Sequence, residues 1–480
     1  MLFSSYQFIF FFAPIVISVY LLTRGGVFCK VWLLAASLVF YAFQNVKCLP
    51  VLIVSIAVNY IAGIYIMDFR RAGREKLSRS VFVLGLVFNV LLLGFFKYTG
   101  FIISTINHFG GNIQLPDIIL PPGISFFTIT EMIYLVDVYQ GVTKDRDPLN
   151  FALFVSFFPH ILAGPILWHK PIVKQLNKPD VNKINWENIA RGLTLFIIGL
   201  AKKVVIADKL GRYVNNGFAY PEALTVLDGT ATAFCYTLQL YFDFSGYSDM
   251  AVGLAMMMNI DIPFNFNSPY KAYGLIDYWN RWHMSLTQAI TNYIYTPIVR
   301  AFSEITFGRA MFATFTAMLI AGIWHGAGWT FIIFGALHGL GLVLNHVWKK
   351  YKLWMPRPLG YVLMWGLILT ANVFFRAESV RDALTVLQGM IGLRGFLLPS
   401  KLAEILGRFG ITVAAGENMF SFSKIIFPAS IIAAFFCPNS LQLTEKFTAC
   451  KRWLIFTMFL VMTICYSFNA GSIEFIYFQF

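Results

Sequence analysis

Charge is scarce in this sequence. Asp, Glu, Lys and Arg make up 12% of its 480 residues, about half the ~25% usual in soluble domains. A water-soluble globular protein of this size is excluded, because it needs far more polar surface to stay dispersed. Disorder is excluded from the other side: 58% of the residues are hydrophobic, so there is ample apolar surface to bury. Negative charge is the scarcest, with 23 acidic residues against 37 Lys and Arg and a net charge of +14. Cysteine is sparse too. The six thiols (Cys29, Cys48, Cys235, Cys437, Cys450 and Cys465) lie in or beside apolar stretches, with no C-x-x-C and no Cys–His spacing that ligates a metal. They are expected to be buried or free, with no metal centre. Common catalytic signatures are missing: there is no G-x-S-x-G elbow, P-loop, dinucleotide fingerprint or H-E-x-x-H. No linker, low-complexity tract or internal repeat divides the chain, so one domain over residues 1–480 is expected.

What is present is a series of long apolar runs and a mean hydropathy of +0.68. The runs are Tyr6–Leu22, Val31–Phe43, Leu49–Met67, Val81–Phe96, Ile124–Tyr139, Phe151–Ala163, Leu193–Ala207, Thr230–Met258, Met311–Trp348, Leu359–Phe375, Lys424–Cys437 and Trp453–Phe468. They are continuous rather than alternating, which argues against a membrane β-barrel. The expected fold class is all-α: a polytopic membrane protein with roughly 11–13 transmembrane or re-entrant helices. The first charge is Arg24, and no basic stretch precedes Tyr6–Leu22. That segment is expected to stay as a span rather than be removed as a leader.

Lys and Arg set the topology. The loop Asp68–Arg79 carries Arg70, Arg71, Arg74, Lys76 and Arg79 and is expected on the cytoplasmic side. Lys97–Pro122 then falls outside. Lys170, Lys174, Lys178, Lys183 and Arg191 form a second basic stretch, cytoplasmic if Phe151–Ala163 turns back, as Pro159 and Ala163-Gly-Pro165 suggest. With Lys202, Lys203, Lys209 and Arg212 they would make a cytoplasmic collar. The positive charge therefore reads as orientation and contact with anionic lipid, not as nucleic-acid binding.

Ionisable groups inside apolar runs are costly and so mark candidate sites. Asp243, Ser245 and Asp249 lie in Tyr241-Phe-Asp-Phe-Ser-Gly-Tyr-Ser-Asp249, either as a cavity wall or as helix–helix glue with Tyr247. Glu131 and Asp137 point about 120° apart on a helix, which excludes a carboxylate pair on one face; partners from Arg or backbone are expected. Asp277-Tyr-Trp-Asn-Arg-Trp-His283-Met-Ser285 packs Asn280, Arg281, Trp282, His283 and Ser285 into one polar knot. Gly322-Ile-Trp324-His325-Gly-Ala-Gly-Trp329 sets an imidazole near the middle of the Met311–Trp348 run, where glycines admit close backbone or ligand approach. His338 and His346 are expected to pack, and His108, His160 and His169 carry less signal. An imidazole in an apolar tunnel suits proton removal from a hydroxyl that attacks an activated acyl group.

These motifs resemble the membrane-bound O-acyltransferase family. The opening Met1–Phe10, Pro122-Gly-Ile-Ser-Phe-Phe127, Tyr134-Leu-Val-Asp-Val-Tyr139 and Phe158-Pro-His-Ile-Leu-Ala-Gly-Pro165 carry the likeness, in order, with Tyr241–Asp249, Asn280-Arg-Trp-His283, Ile323-Trp-His-Gly326 and the final Phe475–Phe480. The nearest branch is the bacterial one that holds the alginate O-acetylation membrane subunit. The resemblance implies a ring of tilted helices around a central tunnel. It implies His325 as the catalytic histidine and His283 as its helper. Asn280, Arg281, Trp282, Ser285, Trp324, Asp243, Ser245 and Asp249 would line the tunnel. No bound cofactor is expected; acetyl-CoA, or an acyl carrier, would be the cytoplasmic donor. The acetyl group would pass across a bacterial inner membrane to a periplasmic or extracellular SGNH-type acetyltransferase and an alginate-like polysaccharide.

Two positions depart from the family pattern. Thr287-Gln-Ala-Ile-Thr-Asn-Tyr293 lacks an expected Arg-Asp pair, and His160 stands where alginate-type relatives usually have Gln. Two alternatives remain open: D-alanyl transfer to teichoic acid from a carrier-protein thioester, and transport of a saccharide or lipid-linked precursor.

Overall fold

The structure, a computed structural model, describes residues 1–23, 26–409, 414–416, 425–445, 457, 461 and 475–476. A π turn at Phe8–Phe12 runs into α1 (Ala13–Leu22), followed by α2 (Val27–Ala42), α3 (Leu49–Arg71) and α4 (Glu75–Leu93). A second π turn, Gly94–Tyr98, joins α4 to α5 (Thr99–His108) without a break. Next come α6 (Ile124–Gln140), α7 (Pro148–Ser156), α8 (His169–Leu176) and α9 (Trp186–Ala201). The π turn Lys202–Ala207 leads from α9 into α10 (Asp208–Ala219), and α11 (Val226–Met257) follows. Short helices α12 (Leu275–Trp279), α13 (Met284–Ile290) and α14 (Thr296–Arg300) precede the long α15 (Phe307–His325), α16 (Trp329–Lys350) and α17 (Arg357–Arg376). The chain continues through α18 (Val380–Met390), α19 (Ser400–Gly407), α20 (Ile426–Phe435) and α21 (Ser440–Glu445). Among the described residues the strand content is one two-residue parallel pairing, Leu398–Pro399 with Ala415–Gly416, so the fold is all-α as expected.

Helix starts follow local chemistry. Asp147 and Asn185 each accept a hydrogen bond from a backbone N–H in the first turn that follows, and Pro148 occupies the first turn of α7, where its missing N–H is no loss. Gly141 closes α6 at φ +77°, in the left-handed region that a glycine enters freely.

Among the described residues, five helical stretches are long and apolar enough to cross a membrane: Val46–Arg71, Glu75–His108, Phe307–His325, Trp329–Lys350 and Arg357–Arg376. Phe8–Leu22, Val27–Ala42 and Ile426–Phe435 are shorter apolar helices. The apolar run Thr230–Met258 is apolar for another reason. Nearly every side chain of α11 is buried by protein, the pattern of a helix in the centre of a bundle. It packs on α9, α10, α17 and α18. Small residues let α9 and α11 approach at backbone distance. A Cβ on Gly192 would fall 2.5 Å from the Gly253 carbonyl oxygen, and one on Gly199 would fall 2.4 Å from that of Gly246.

Several expectations change. Met311–Trp348 is two antiparallel helices rather than one: α15 and α16 turn back on each other at Gly326–Gly328, with Gly322 against Phe331 and Gly335. His325 therefore ends a helix instead of sitting in its middle. Lys97 does not open an outer loop; it lies within the continuous helix Glu75–His108 and is 9% exposed. Phe151–Ala163 keeps its expected course: it does not cross, because its helix stops at Ser156 and a buried turn follows, as Pro159 and Ala163-Gly-Pro165 suggested. Lys202 and Lys203 leave the expected collar. Lys203 is buried between Asp208 (2.8 Å) and Asp243 (2.7 Å), and Lys202 pairs with Asp249 at 2.6 Å. Glu131 accepts from Ser55 Oγ (2.6 Å) and Asp137 from Tyr293 (2.8 Å), so hydroxyls replace the expected Arg or backbone partners. Cys29, Cys48 and Cys235 are free and buried, and Cys437 is free and exposed. Arg24, Lys424, Cys450, Cys465, Tyr477–Phe480 and most of the Trp453–Phe468 run lie outside the described residues.

Candidate active site

The hairpin corner carries His325. The last carbonyls of any helix lack partners within it and must be satisfied from outside. Here the second π turn supplies them. Tyr98 donates its hydroxyl to the Ile323 carbonyl, and Lys97 Nζ donates to the carbonyls of Trp324 (2.8 Å) and His325 (2.9 Å). Lys97 also donates to Ser125 Oγ (3.0 Å), on the first turn of α6. The Trp324 indole N–H donates to the Ser125 carbonyl at 3.0 Å. Two helices thus hold the end of α15. The His325 ring meets Trp324, Phe375 and Phe334 edge-on, with centroids 5.0, 5.4 and 5.9 Å away.

His283 arrives from a different segment. It adopts φ +45°, ψ +52° just before α13, a left-handed conformation that costs a non-glycine residue ~1–2 kcal/mol. The surrounding loop imposes it. Met284 N donates to the Asn265 carbonyl (2.9 Å), and Asn267 N donates to that of Arg281 (2.9 Å). Ser285 Oγ donates to Asn265 Oδ1 (2.6 Å) and accepts from Ile166 N (3.0 Å). The His283 ring stands edge-on to Phe244 at 4.7 Å and 6.5 Å from the His325 ring, centroid to centroid. It is fully buried, and neither ring nitrogen has a hydrogen-bond partner among the described residues. A buried imidazole with both nitrogens unused is costly as structure alone and available as a proton acceptor or donor.

The other sequence candidates separate into groups. Trp324 touches the His325 ring, whereas Trp282 packs one layer away, stacked on Tyr278 (5.7 Å) and edge-on to Phe266 (5.0 Å). Ser285 shapes the His283 loop. Arg281 turns away to Asp277 Oδ1 (2.7 Å), and Asn280 is exposed, so neither reaches the two rings. Asp243 and Asp249 are joined to Lys203 and Lys202. Asp243 also accepts from Ile476 N (2.9 Å), and Asp249 accepts from Ser440 Oγ (2.5 Å). These contacts make them glue between α11 and its neighbours, with lysines as partners rather than Ser245 or Tyr247. Ser245 Oγ is buried beside them with no hydrogen-bond partner among the described residues. His338 accepts from the Trp279 indole (3.3 Å) and packs on Phe334, as a packing residue should. His160 is bonded to the Phe154 carbonyl (2.8 Å). His169 contacts Thr143 Oγ1 at 2.9 Å, and burial pulls its imidazole down to about 4.

A cavity of about 690 Å³ opens beside α6 and the segment Thr291–Arg300, lined by Asp137, Gln140, Trp168, Lys170, Tyr293 and Arg300. A smaller one of about 370 Å³ shares Gln140 and adds Arg70, Arg71 and Lys144. The Arg-rich end of α3 thus lies on the same face as Lys170 and Arg300, the face assigned to the cytoplasm by charge. Tyr293 sits about 15 Å along the helical path from His283, at ~1.5 Å per residue. Sequence reasoning missed Lys97, Trp168, Tyr293 and Arg300. Lys97 alone carried a readable signal: an ammonium between apolar stretches.

Comparison with known proteins bears on this geometry. The model of MBOAT, the membrane-bound O-acyltransferase family, matches residues 124–375, which contain both histidines. The peptidoglycan O-acetyltransferase of Helicobacter pylori is 37% identical over 522 residues, covering 100% of this chain and 98% of its own. The probable alginate O-acetylase of Pseudomonas aeruginosa is 38% identical over 402 residues, covering 81% of this chain and 75% of its own. The teichoic acid D-alanyltransferase of Bacillus subtilis is 29% identical over 244 residues, 49% of this chain and 62% of its own. Alginate is therefore one of several acceptors named among the relatives. Helices of membrane-crossing length, a matching family model and a full-length relative lead to one conclusion: this chain belongs to the membrane-bound O-acyltransferase family and is a multi-pass membrane enzyme of the O-acyltransferase class.

Proposed function

We propose that this protein takes an acetyl group from a cytoplasmic thioester donor, acetyl-CoA, and delivers it across the bacterial inner membrane for O-acetylation of a cell-envelope glycan. The observation that carries the reading is the buried pair of imidazoles, His283 and His325, 6.5 Å apart and drawn from two separate segments. His325 removes the proton of the attacking hydroxyl. The hydroxyl oxygen bonds to the thioester carbonyl carbon, the C–S bond breaks, and the imidazole returns the proton to the departing thiolate. His283 orients the hydroxyl or the thioester carbonyl. Lys170 and Arg300, in the cavity on the basic face, suit the phosphates of the donor.

The hydroxyl first acylated belongs to the glycan or to an SGNH-type acetyltransferase on the outer side that relays the group. Peptidoglycan is the first acceptor to test, since the relative named for it aligns along the whole chain. The D-alanyl relative aligns along half, which favours acetyl over D-alanyl as the group moved. The test is purified protein in lipid nanodiscs, supplied with acetyl-CoA and isolated glycan, with free thiol and ester-linked acetate measured. His325→Ala should remain folded and lose transfer. Wild-type ester formation by that variant, or transfer from a D-alanyl carrier protein in place of acetyl-CoA, would refute the reading.

A further inference from the structure

Lys97 is an ammonium inside a membrane-length helix, where charge is costly and persists only for a reason. It is 9% exposed. Its reason is not an ion pair. Its three donors go to Ser125 Oγ, the Trp324 carbonyl and the His325 carbonyl, which is every donor an ammonium has. None of these acceptors is a carboxylate. Two are the final carbonyls of α15, the negative end of a helix that a cation stabilises. The ammonium sits in the π turn Gly94–Tyr98, whose adjacent Tyr98 bonds Ile323 of the same helix end. Single π turns inside α-helices occur frequently at functional sites.

We propose that Lys97 is a positioning residue for the acyl-transfer site: its ammonium fixes the end of α15, and so fixes the His325 ring opposite His283. The inference rests on the reading of His325 as the proton acceptor, and its test separates the two. Without Lys97 the carbonyls of Trp324 and His325 lose their shared partner, and the last turn of α15 is free to fray toward Gly326. A misplacement of about 1 Å at a reacting group costs about 10²-fold in rate.

The experiment compares wild type, Lys97→Met, Lys97→Gln, Lys97→Arg and His325→Ala as full chains in nanodiscs, normalised to folded protein. Two readouts are taken: kcat and KM for acetyl-CoA, and the rate at which diethyl pyrocarbonate labels His325, followed by mass spectrometry. Lys97→Met should lower kcat by about 10²-fold with KM within about twofold, and should raise the labelling rate. Lys97→Arg, which restores a cation, should recover most of both. Wild-type kcat and labelling in Lys97→Met overturn the proposal. Should Lys97→Met fail to accumulate, the same two values in Lys97→Gln decide, and wild-type behaviour there overturns it equally. If His325→Ala keeps transferring while Lys97→Met speeds labelling, the positioning role stands and the proton-acceptor reading of His325 falls.

Discussion

Substituting Gly322 by alanine tests whether the hairpin sets the chemistry. A Cβ at Gly322 would fall 2.5 Å from the Phe331 carbonyl oxygen, 2.7 Å from Gly335 Cα and 2.8 Å from Gly335 N. All three are backbone atoms, so no side chain can swing aside. Moving the closest contact from 2.5 Å to an ordinary 3.4 Å requires α15 and α16 to separate by about 0.9 Å. Such overpacking costs about 1–3 kcal/mol. His325 lies one turn further on, about 4.5 Å along the axis, and inherits most of the displacement. At about 10²-fold per ångström of misplacement, kcat should drop by roughly two orders of magnitude, which is ~2.7 kcal/mol of barrier. The assay is acetyl transfer per folded molecule in nanodiscs. Gly366→Ala is the matched control: it lies on α17 with nothing within 4 Å of an added Cβ, and should leave kcat within about twofold while sparing the ~1 kcal/mol that glycine costs in a helix. A folded Gly322→Ala variant with wild-type kcat would refute the claim that hairpin spacing sets the position of His325.

Two further outcomes follow from the charged groups. Lys203→Met leaves Asp208 and Asp243 buried without the ammonium that joins them. It should cost about 3–5 kcal/mol, read as a large fall in the thermal midpoint of the detergent-solubilised protein; a midpoint within about 2 °C of wild type would contradict it. Lys170→Gln and Arg300→Gln each remove one cation from the cavity on the basic face. Each should raise KM for acetyl-CoA by about 3–10-fold with kcat nearly unchanged, as expected when binding is uniform across the reaction; unchanged KM in both would remove the cavity from the donor path.

Much of the site was legible because polar residues stand out against an apolar background. His283 and His325 were marked as candidates by that contrast, and their roles came only with the family resemblance. The same rule misled at Lys97, where the charge was taken to end the run at Phe96. A single lysine cannot by itself distinguish a helix end from a helix interior. Its three acceptors come from residues far along the chain, and they decide the matter. Asp243 and Asp249 were visible as costly groups, but their partners were hidden: a carboxylate in an apolar run reads alike whether it faces a cavity or a lysine from the next helix.

Composition and periodicity determined what depends on each residue's own chemistry: the membrane class, the helical content, the basic face and the short list of polar groups. Those properties sum over residues, so no contact is needed to infer them. Tertiary structure decided the rest. It folded one apolar run into the α15–α16 hairpin through glycines that permit backbone contact, and it enclosed α11 within protein rather than lipid. It also brought His283 to within 6.5 Å of His325 and bound Lys97 to the end of α15. Each of these depends on which distant segments share a small volume, and the pattern of one segment does not encode its neighbours.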